Sequence, residues 1–357
     1  MNKKRDKKKF KRKNIKISNI EIGNVDHFTD DTITEEKRAE KKLIEKGKIS
    51  NKRNLKLERG RILEVRSNYK CVVKMGDEEM SCTLGGRFKQ VNFETKSIVA
   101  AGDYVNIDVS GDPRIEEIVT RANTLSRFSD NDFQIEIIIA SNIDQVIITS
   151  SYKDPQLNLG LIDRYICAAK ISNITPVICI NKIDLAESLD DVKLMGSFYE
   201  KHGLRVIYTS VETGEGIKEL KELLKDKDSV FSGHSGAGKS SLINKLQPDL
   251  KLRTAEISDY HRKGVHTTTR SRLLEWDFGG YLVDTPGIKT FGLHRKDKEK
   301  LKEIFPGLSA LAAECKFFNC THSHEKECGV KKAVENGSYP LSRYESYLRI
   351  LESLSSE

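Results

Sequence analysis

Short segments in which apolar and polar residues alternate fill the chain between residues 56 and 125. Such alternation predicts strands with one buried face, and turn residues, mainly Gly, Asn and Asp, separate the segments. Five strands in so short a stretch favour a closed β-barrel of the OB type, a fold common among RNA-binding proteins. The predicted strands are Arg59–Arg66, Tyr69–Lys74, Glu79–Leu84, Tyr104–Val109 and Arg114–Val119.

Continuous apolar runs replace this alternation between residues 126 and 294. Such runs are typical of strands buried on both faces of a parallel sheet, and here they alternate with helical periodicity. We therefore predict an α/β domain whose ligands bind at the carboxyl ends of its strands. Strands are expected at Gln145–Thr149, Pro176–Ile180, Leu204–Tyr208, Ser229–Ser232 and Gly280–Val283, with helices at Leu161–Lys170, Val192–His202 and Gly216–Leu224.

A glycine-rich segment after the strand at 229–232 matches the phosphate-binding loop pattern G-x-x-x-x-G-K-[ST] without a mismatch. Its glycines let the backbone wrap so that N–H groups point at a phosphate chain. Lys239 is expected to meet the β- and γ-phosphates, and Ser240 to give Mg²⁺ one ligand. The predicted nucleotide contacts here are Gly233, His234, Ser235, Gly236, Ala237, Gly238, Lys239, Ser240 and Ser241.

The sequence N-K-I-D at residues 181–184 ends a buried strand and indicates that the base is guanine. The carboxylate of Asp184 can accept two hydrogen bonds, from the ring N–H and the exocyclic amine of guanine. Adenine does not offer that pair and would leave the carboxylate unpaired. The predicted contacts on this side of the nucleotide are Asn181, Lys182 and Asp184, with Ser210 and Val211 after the next strand.

Two further segments predict the surroundings of the γ-phosphate. The sequence D-T-P-G at 284–287 follows a strand, so that Asp284 can join the Mg²⁺ shell and the Gly287 N–H can meet the γ-phosphate. Three threonines at 267–269 can supply a second hydroxyl ligand. Thr268 is our choice among them, although the pattern does not separate the three. The predicted magnesium ligands are Ser240, Thr268 and Asp284.

The order of these motifs is the most specific feature of the sequence. In ordinary small GTPases the phosphate loop comes first, whereas here the guanine-reading segments at 181–184 and 209–211 precede it. The domain is therefore expected to be circularly permuted. In this order of motifs the chain resembles the circularly permuted ribosome-assembly GTPases of the RsgA (YjeQ) family, over roughly residues 57–350.

The resemblance implies hydrolysis of GTP to GDP and phosphate, stimulated by the 30S ribosomal subunit, with contacts to 16S rRNA during late subunit maturation. It also favours RNA binding by the barrel. Cations and aromatic residues alternate in the barrel loop, which suits base stacking and phosphate contact, although each residue is also consistent with a core phenylalanine or a solvated lysine. These residues are Arg87, Phe88, Lys89, Phe93 and Lys96.

Two other functions remain open. One is a regulatory GTPase that acts on tRNA or a translation factor. The other is a nucleotide-binding RNA-binding protein without significant turnover. We expect a monomer, with neither DNA nor a membrane among its partners.

Three cysteines and one histidine near the C-terminus follow the pattern C-x4-C-x-H-x5-C. Three thiolates and one imidazole complete a tetrahedral zinc site and leave no position for a catalytic water. Redox-active cysteines are the alternative, but the same pattern occurs in the resembled family. The predicted ligands are Cys315, Cys320, His322 and Cys328.

The segments around these ligands predict a helical module over residues 295–357, with helical periodicity at Lys296–Ala313 and Lys331–Ser353. The other four cysteines lie in apolar segments. Because no secretory signal is visible, we expect them to be core thiols rather than disulfides. They are Cys71, Cys82, Cys167 and Cys179.

The formal net charge of +8 lies entirely in the first thirteen residues, which contain nine Lys or Arg and one Asp. We expect residues 1–55 to form a basic, disordered extension that either binds nucleic acid or only solubilises the protein. No run approaches the ~20 apolar residues of a membrane span. The expected location is the cytoplasm.

Ile288 stands where many GTPases have a glutamine that orients the attacking water. Another group must then do so, and His266, beside the threonine cluster, is the predicted catalytic residue together with Lys239 and Thr268. An imidazole can orient or deprotonate water near neutral pH. The resembled family has a histidine at this place in its G-x-H-T-T-T stretch. The alternatives are that His266 only packs or contacts rRNA, and that His234 serves instead.

Overall fold

The computed structural model describes residues 56–66, 70–86, 88, 97–129, 132–250, 271–284 and 292–355. The expected basic extension over residues 1–55 lies outside this part of the chain.

The first five strands close into the barrel that the alternating pattern predicts. They form the ring β1-β2-β3-β5-β4, with β4 pairing back onto β1 and with β3 and β5 parallel. The OB-type barrel is confirmed, and every strand boundary lies within two residues of its prediction. The strands are β1 (Leu57–Arg66), β2 (Lys70–Met75), β3 (Glu78–Leu84), β4 (Tyr104–Asp108) and β5 (Arg114–Ile118).

The barrel closes around a small apolar core. Val105 and Ile107 are fully buried, while their neighbours along β4 are only half-buried, as the period of a strand requires. A Cβ at Gly60 would lie 2.6 Å from Cγ1 of Val73 and 2.9 Å from Cδ1 of Ile107. Glycine in β1 therefore leaves room for side chains from both strands that pair with it.

A hairpin that the sequence patterns do not predict follows the barrel. It consists of β6 (Thr124–Ser129) and β7 (Asp132–Ser141). The buried carboxylate of Asp103 accepts hydrogen bonds from Nε of Arg121 at 2.6 Å and from the hydroxyl of Ser141 at 2.6 Å. This carboxylate therefore ties the end of β7 to the barrel.

The apolar runs form a sheet of order β10-β9-β8-β11-β13-β12. Its strands are β8 (Gln145–Ser151), β9 (Thr175–Asn181), β10 (Arg205–Thr209), β11 (Lys227–Ser232), β12 (Arg272–Glu275) and β13 (Gly280–Asp284). All are parallel except the short β12, which is antiparallel to β13 and was not predicted. The helices are α1 (Leu159–Ile171), α2 (Leu189–Lys201), α3 (Ile217–Leu224) and α4 (Lys239–Leu246).

Helices cover both faces of this sheet, which explains its continuous apolar runs. All seven residues of β8 are buried. Val146 and Ile148 join the core beneath α1 and α2, whereas Ile147, on the opposite face, packs in the core beneath α3 and α4. In the described part of the chain, no helix has the length and apolar character needed to cross a membrane.

One pairing joins the barrel to the α/β sheet. Strand β1 lies antiparallel to β12, with Glu64 opposite Arg272, so that eleven strands form one continuous sheet. The otherwise free edge at β12 is thereby covered, which removes an exposed row of backbone hydrogen-bonding groups.

The C-terminal module is helical, as predicted, but its helices are interrupted. Gly307, with φ 78°, separates α5 (Leu301–Ile304) from α6 (Leu308–Ala312). Gly337, with φ 76°, and Pro340 separate α7 (Gly329–Glu335) from α8 (Leu341–Ser353). Left-handed glycines and a proline end helices for steric reasons, which helical periodicity alone does not reveal.

A buried triad, made of one ion pair and one tyrosine hydroxyl, attaches this module to the α/β domain. Nη1 of Arg343 lies 2.7 Å from the carboxylate of Asp163 and 2.9 Å from the hydroxyl of Tyr199, which itself donates to Asp163 at 2.8 Å. The side chains of Asp163 and Arg343 are 0% and 7% exposed. Burial raises the pKa of Asp163, and the charge of Arg343 opposes that rise.

Arg343→Met should destabilise the protein because it leaves the Asp163 carboxylate buried without a cation. We expect a loss of about 3–5 kcal/mol in the free energy of unfolding, measured by urea denaturation. Arg349→Met is the matched control on the same helix, since Arg349 is 63% exposed and lies 3.9 Å from Glu345. That control should cost less than about 1 kcal/mol. Equal losses for the two variants would contradict the role of the triad.

Candidate nucleotide and metal sites

The phosphate-loop segment lies at the centre of the sheet, between the carboxyl end of β11 and the start of α4. This edge is where parallel sheets bind ligands. Gly233, Gly236 and Gly238 have φ values of 140°, 80° and 91°. These left-handed conformations favour glycine and turn the loop tightly between strand and helix.

Close packing also requires two of these glycines. A Cβ at Gly233 would lie 2.0 Å from the carbonyl oxygen of Thr149 in β8, and one at Gly238 would lie 2.3 Å from Nδ2 of Asn181. Neither distance is sterically possible. The loop therefore lies directly on the ends of the neighbouring strands.

Lys239 and Ser240 begin α4, where the positive end of the helix dipole favours anions. Nζ of Lys239 donates to the carbonyl oxygens of Gly233 at 2.8 Å and His234 at 2.7 Å. Ser240 is 8% exposed. A cation within the turn of the loop and a hydroxyl at the helix start suit a bound phosphate chain and its metal ion.

The side chain of Asn181 connects the phosphate loop to the guanine-reading strands. Its Nδ2 donates to the carbonyl oxygen of Ala237 at 3.0 Å, and its Oδ1 accepts from the hydroxyl of Thr209 at 3.0 Å. Asn181 and Thr209 are both buried, at the carboxyl ends of β9 and β10. Three segments that are distant in the chain are thereby fixed together.

Asp184 and Ser210 face each other at the same edge of the sheet. Asp184 lies in a 3₁₀ turn directly after β9, and its Oδ1 accepts a hydrogen bond from the Ser210 hydroxyl. The Ser210 Oγ accepts in turn from the Thr213 N–H at 3.2 Å. Ser210 therefore holds the carboxylate in place, as a specific base contact requires.

Asp284 ends β13, the strand beside β11, at the same edge of the sheet. Burial raises the pKa of its carboxyl group, and the charge of Arg272, opposite it across the β12–β13 pair, opposes that rise. A half-buried carboxylate at the same sheet edge as the phosphate loop is suited to a hard cation.

Several predicted residues lie outside the described part of the chain. Among the nucleotide and catalytic predictions these are His266, Thr267, Thr268, Thr269, Gly287 and Ile288. In the barrel loop they are Arg87, Lys89, Phe93 and Lys96. Phe88 is described, and it packs against the barrel core.

The four predicted zinc ligands form one cluster. Their ligand atoms all lie within 4.8 Å of one another. The Sγ atoms of Cys315 and Cys328 are 3.9 Å apart, and Nδ1 of His322 is 3.5 Å and 3.4 Å from them. A tetrahedral zinc ion with ordinary bond lengths separates two sulfurs by about 3.8 Å and a sulfur from a nitrogen by about 3.6 Å. The cluster therefore fits a zinc ion.

The surroundings of the cluster are those of a structural metal site. Burial lowers the pKa of His322, which favours the neutral imidazole that can ligate a metal ion. The Gly329 N–H donates to Sγ of Cys315 at 3.2 Å, and the Tyr344 hydroxyl donates to the His322 carbonyl at 2.7 Å. Burial raises the pKa of Cys320 to about 12, a shift that a bound metal ion would reverse.

The loop after β8 also borders the nucleotide site, although no motif marks it. Nζ of Lys182 donates to the carbonyl oxygen of Asp154, and Cδ of Pro155 lies 3.3 Å from the Cβ position of Gly236. The Ser151 hydroxyl holds the loop by donating to the Pro155 carbonyl at 2.6 Å. The sequence signal for this loop is an Asp-Pro pair after an apolar strand, and such a pair indicates only a turn.

Sequence comparison agrees with this geometry. The model of the RsgA GTPase family matches residues 118–294. A small ribosomal subunit biogenesis GTPase RsgA from Flavobacterium psychrophilum is 38% identical over 280 residues, covering 76% of this chain and 86% of the relative. The protein of the same name from Thermotoga maritima is 38% identical over 304 residues, covering 83% and 96%.

Solved structures show the same architecture. The crystal structure of YjeQ from Thermotoga maritima superposes with a TM-score of 0.68 at 35% identity, covering 84% of this chain and 99% of that one. YloQ, described as a circularly permuted GTPase, superposes with a TM-score of 0.64 at 26% identity, covering 86% and 98%.

Asp184→Asn should weaken GTP binding by about tenfold or more. An amide cannot accept the hydrogen bonds from both the ring N–H and the amine of guanine as a carboxylate does. The amide can donate to the carbonyl that xanthine has in place of the amine of guanine, so XTP should bind the variant better than GTP does. Calorimetric titration of parent and variant with both nucleotides measures this. Unchanged GTP affinity would contradict the assignment.

Proposed function

Since the chain belongs to the RsgA GTPase family, we propose that it binds the small ribosomal subunit and hydrolyses GTP there during late maturation of the subunit. The observation that carries the proposal is the bond from Asn181 to Ala237, which holds the guanine-reading segment and the phosphate loop at one sheet edge. The small ribosomal subunit is inferred as the partner from the names of two relatives, whose alignments cover 76% and 83% of this chain.

In this proposal the guanine ring binds between the segment that contains Asp184 and the segment that contains Ser210. Asp184 selects guanine, and Ser210 orients its carboxylate. The backbone from Gly233 to Ser241 binds the phosphates, while Lys239 neutralises the charge that develops on them during transfer. Asn181 and Lys182 act mainly by holding the phosphate loop and the loop at Asp154 in place.

Magnesium would be held by Ser240 and Asp284, with Thr268 as the third protein ligand. When bound, it would neutralise the negative charge that develops on the phosphates during transfer. Asp284 is the last residue of β13 and is half-buried, while Ser240 lies in the first turn of α4 and is buried. Gly287 is assigned to the γ-phosphate.

We assign the role of orienting the attacking water to His266, because the side chain of Ile288 cannot make hydrogen bonds. The imidazole would accept or orient the proton of the water as the γ-phosphate is transferred. His234 is the weaker candidate, because the side chain at this variable position of a phosphate loop usually faces away from the γ-phosphate.

Each region of the chain has its own part in the proposed function. The barrel over 56–125 would contact 16S rRNA, the α/β domain over 126–294 would bind GTP, and the module over 295–357 would hold zinc. The basic residues 1–13 would add salt-dependent affinity for RNA. A monomer in the cytoplasm suits this activity.

A regulatory GTPase acting on tRNA or a translation factor is the second candidate, because an OB-type barrel alone does not choose among RNAs. A binding protein without turnover is the third. The family of the chain favours the ribosomal role over both.

We expect about one zinc ion per chain by elemental analysis. Cys320→Ala should lose the zinc and loosen the C-terminal module while leaving GTP affinity unchanged, since metal binding worth roughly 10–16 kcal/mol supports the folding of the ligand loop. Cys82→Ala, at a buried barrel thiol, is the control and should retain the zinc. A fully folded parent protein without metal would refute the zinc assignment.

The proposed function is tested by single-turnover GTP hydrolysis with saturating 30S subunits, 50S subunits or tRNA. Only 30S subunits should accelerate the reaction. His266→Ala should keep GTP affinity within a few-fold but lower the 30S-stimulated rate by roughly 10²-fold. Stimulation by tRNA instead of 30S subunits would support the second candidate, and absence of turnover the third. A variant as fast as the parent would remove His266 from the mechanism.

A further inference from the structure

A cluster of charged and aromatic side chains connects the barrel to the strands that lead to the nucleotide site. Its cations come from β1 and β2 of the barrel, and its other members come from β11, β12 and β13. We name this cluster the barrel clamp. It consists of Arg61, Lys74, Asp228, Glu275 and Tyr281.

Arg61 is the centre of the barrel clamp. Its Nη2 donates to the Asp228 carboxylate, and the two side chains are only 12% and 11% exposed. The guanidinium carbon lies 5.0 Å from the ring centres of both Tyr104 and Tyr281. A charge-assisted hydrogen bond between two aromatic contacts fixes the position of the guanidinium closely.

Asp228 is equally well fixed within the α/β sheet. Its N–H donates to Oδ2 of Asp144 at 2.7 Å, and its carbonyl oxygen accepts from the Asp144 N–H at 3.0 Å. Tyr281 is its partner across the β11–β13 pair. Arg61 is therefore coupled to the start of β8, to β11 and to β13.

Lys74 makes a second, more exposed connection. Its Nζ donates to Glu275 at 2.5 Å, where the carboxylate is 57% exposed, and lies 5.8 Å from the ring centre of Tyr281. Solvent screens this pair more than the pair at Arg61. Arg61 is thus the stronger link of the two.

The strands held by the barrel clamp lead directly to the nucleotide site. Strand β11 continues from Asp228 into the phosphate loop at Gly233, and β13 continues from Tyr281 to Asp284. At the nucleotide edge, Glu64 of β1 pairs with Arg272 of β12, which lies opposite Asp284 of β13. Barrel strand β1 therefore contacts the α/β sheet at both ends of these strands.

We propose that Arg61 is a positioning residue that couples RNA engagement of the barrel to GTP hydrolysis. The inference rests on the proposed function, because it takes ribosomal RNA as the ligand of the barrel. Ion pairs and packed side chains between rigid elements carry energetic coupling between sites. A change in the position of the barrel would act through Asp228 and Tyr281 on the strands that present the phosphate loop and Asp284.

The test compares Arg61→Met with the parent in steady-state GTP hydrolysis, with and without saturating 30S subunits. The variant should keep its intrinsic rate and its KM for GTP, while its stimulated kcat falls about tenfold, a size common for coupling between sites. Arg59→Met is the matched control, because Arg59 lies on the same strand and 5.0 Å from the same Tyr104 ring but is exposed. It should behave like the parent.

Asp228→Asn tests the pair from the other side and should reproduce the loss, with no further loss in the double variant. An Arg61→Met protein stimulated as strongly as the parent would overturn the proposal. A parallel fall in melting temperature, intrinsic rate and stimulated rate in both single variants would also overturn it, since that result shows a purely structural role. If 30S subunits do not stimulate the parent protein, the proposed function itself fails.

Discussion

The hydrogen bonds of Asn181 to Ala237 and Thr209 hold together the parts on which the nucleotide site depends. They connect the ends of β9 and β10 to the phosphate loop, across a chain in which the guanine-reading segments come first. Because parallel strands present all their carboxyl ends at one edge, the order of the motifs can change while their positions remain. Circular permutation is therefore compatible with an ordinary arrangement of guanine and phosphate loops.

Permutation also changes what lies beside the site. The barrel and the α/β domain share one sheet, and the strand that joins them, β12, is the partner of the strand that ends at Asp284. The C-terminal module is attached elsewhere, through Asp163 and Arg343, to the helices that cover the opposite part of the sheet. The α/β domain is therefore joined to the barrel at β12 and to the C-terminal module at Asp163.

Local chemistry could be predicted from the sequence, whereas long-range pairing could not. The phosphate loop, the N-K-I-D segment and the zinc cluster are contiguous patterns, and strand alternation revealed the barrel because each strand buries one face. The contacts of Arg61 with Asp228, and of Asp163 with Arg343, join residues 167 and 180 positions apart. Their partners are decided by topology, which no local pattern contains. The four-residue β12 was missed because so short a strand gives a weak periodic signal.

The proposed function requires that the protein bind the small ribosomal subunit while GTP is bound and hydrolyse the GTP there. Co-sedimentation of the full chain with 30S subunits, at one fixed salt concentration, measures this most directly when a non-hydrolysable GTP analogue is compared with GDP. We expect 30S subunits to bind more tightly with the analogue than with GDP, and 50S subunits to bind weakly in either state. Equal affinity for 30S subunits with both nucleotides, or equal affinity for both subunits, would contradict it.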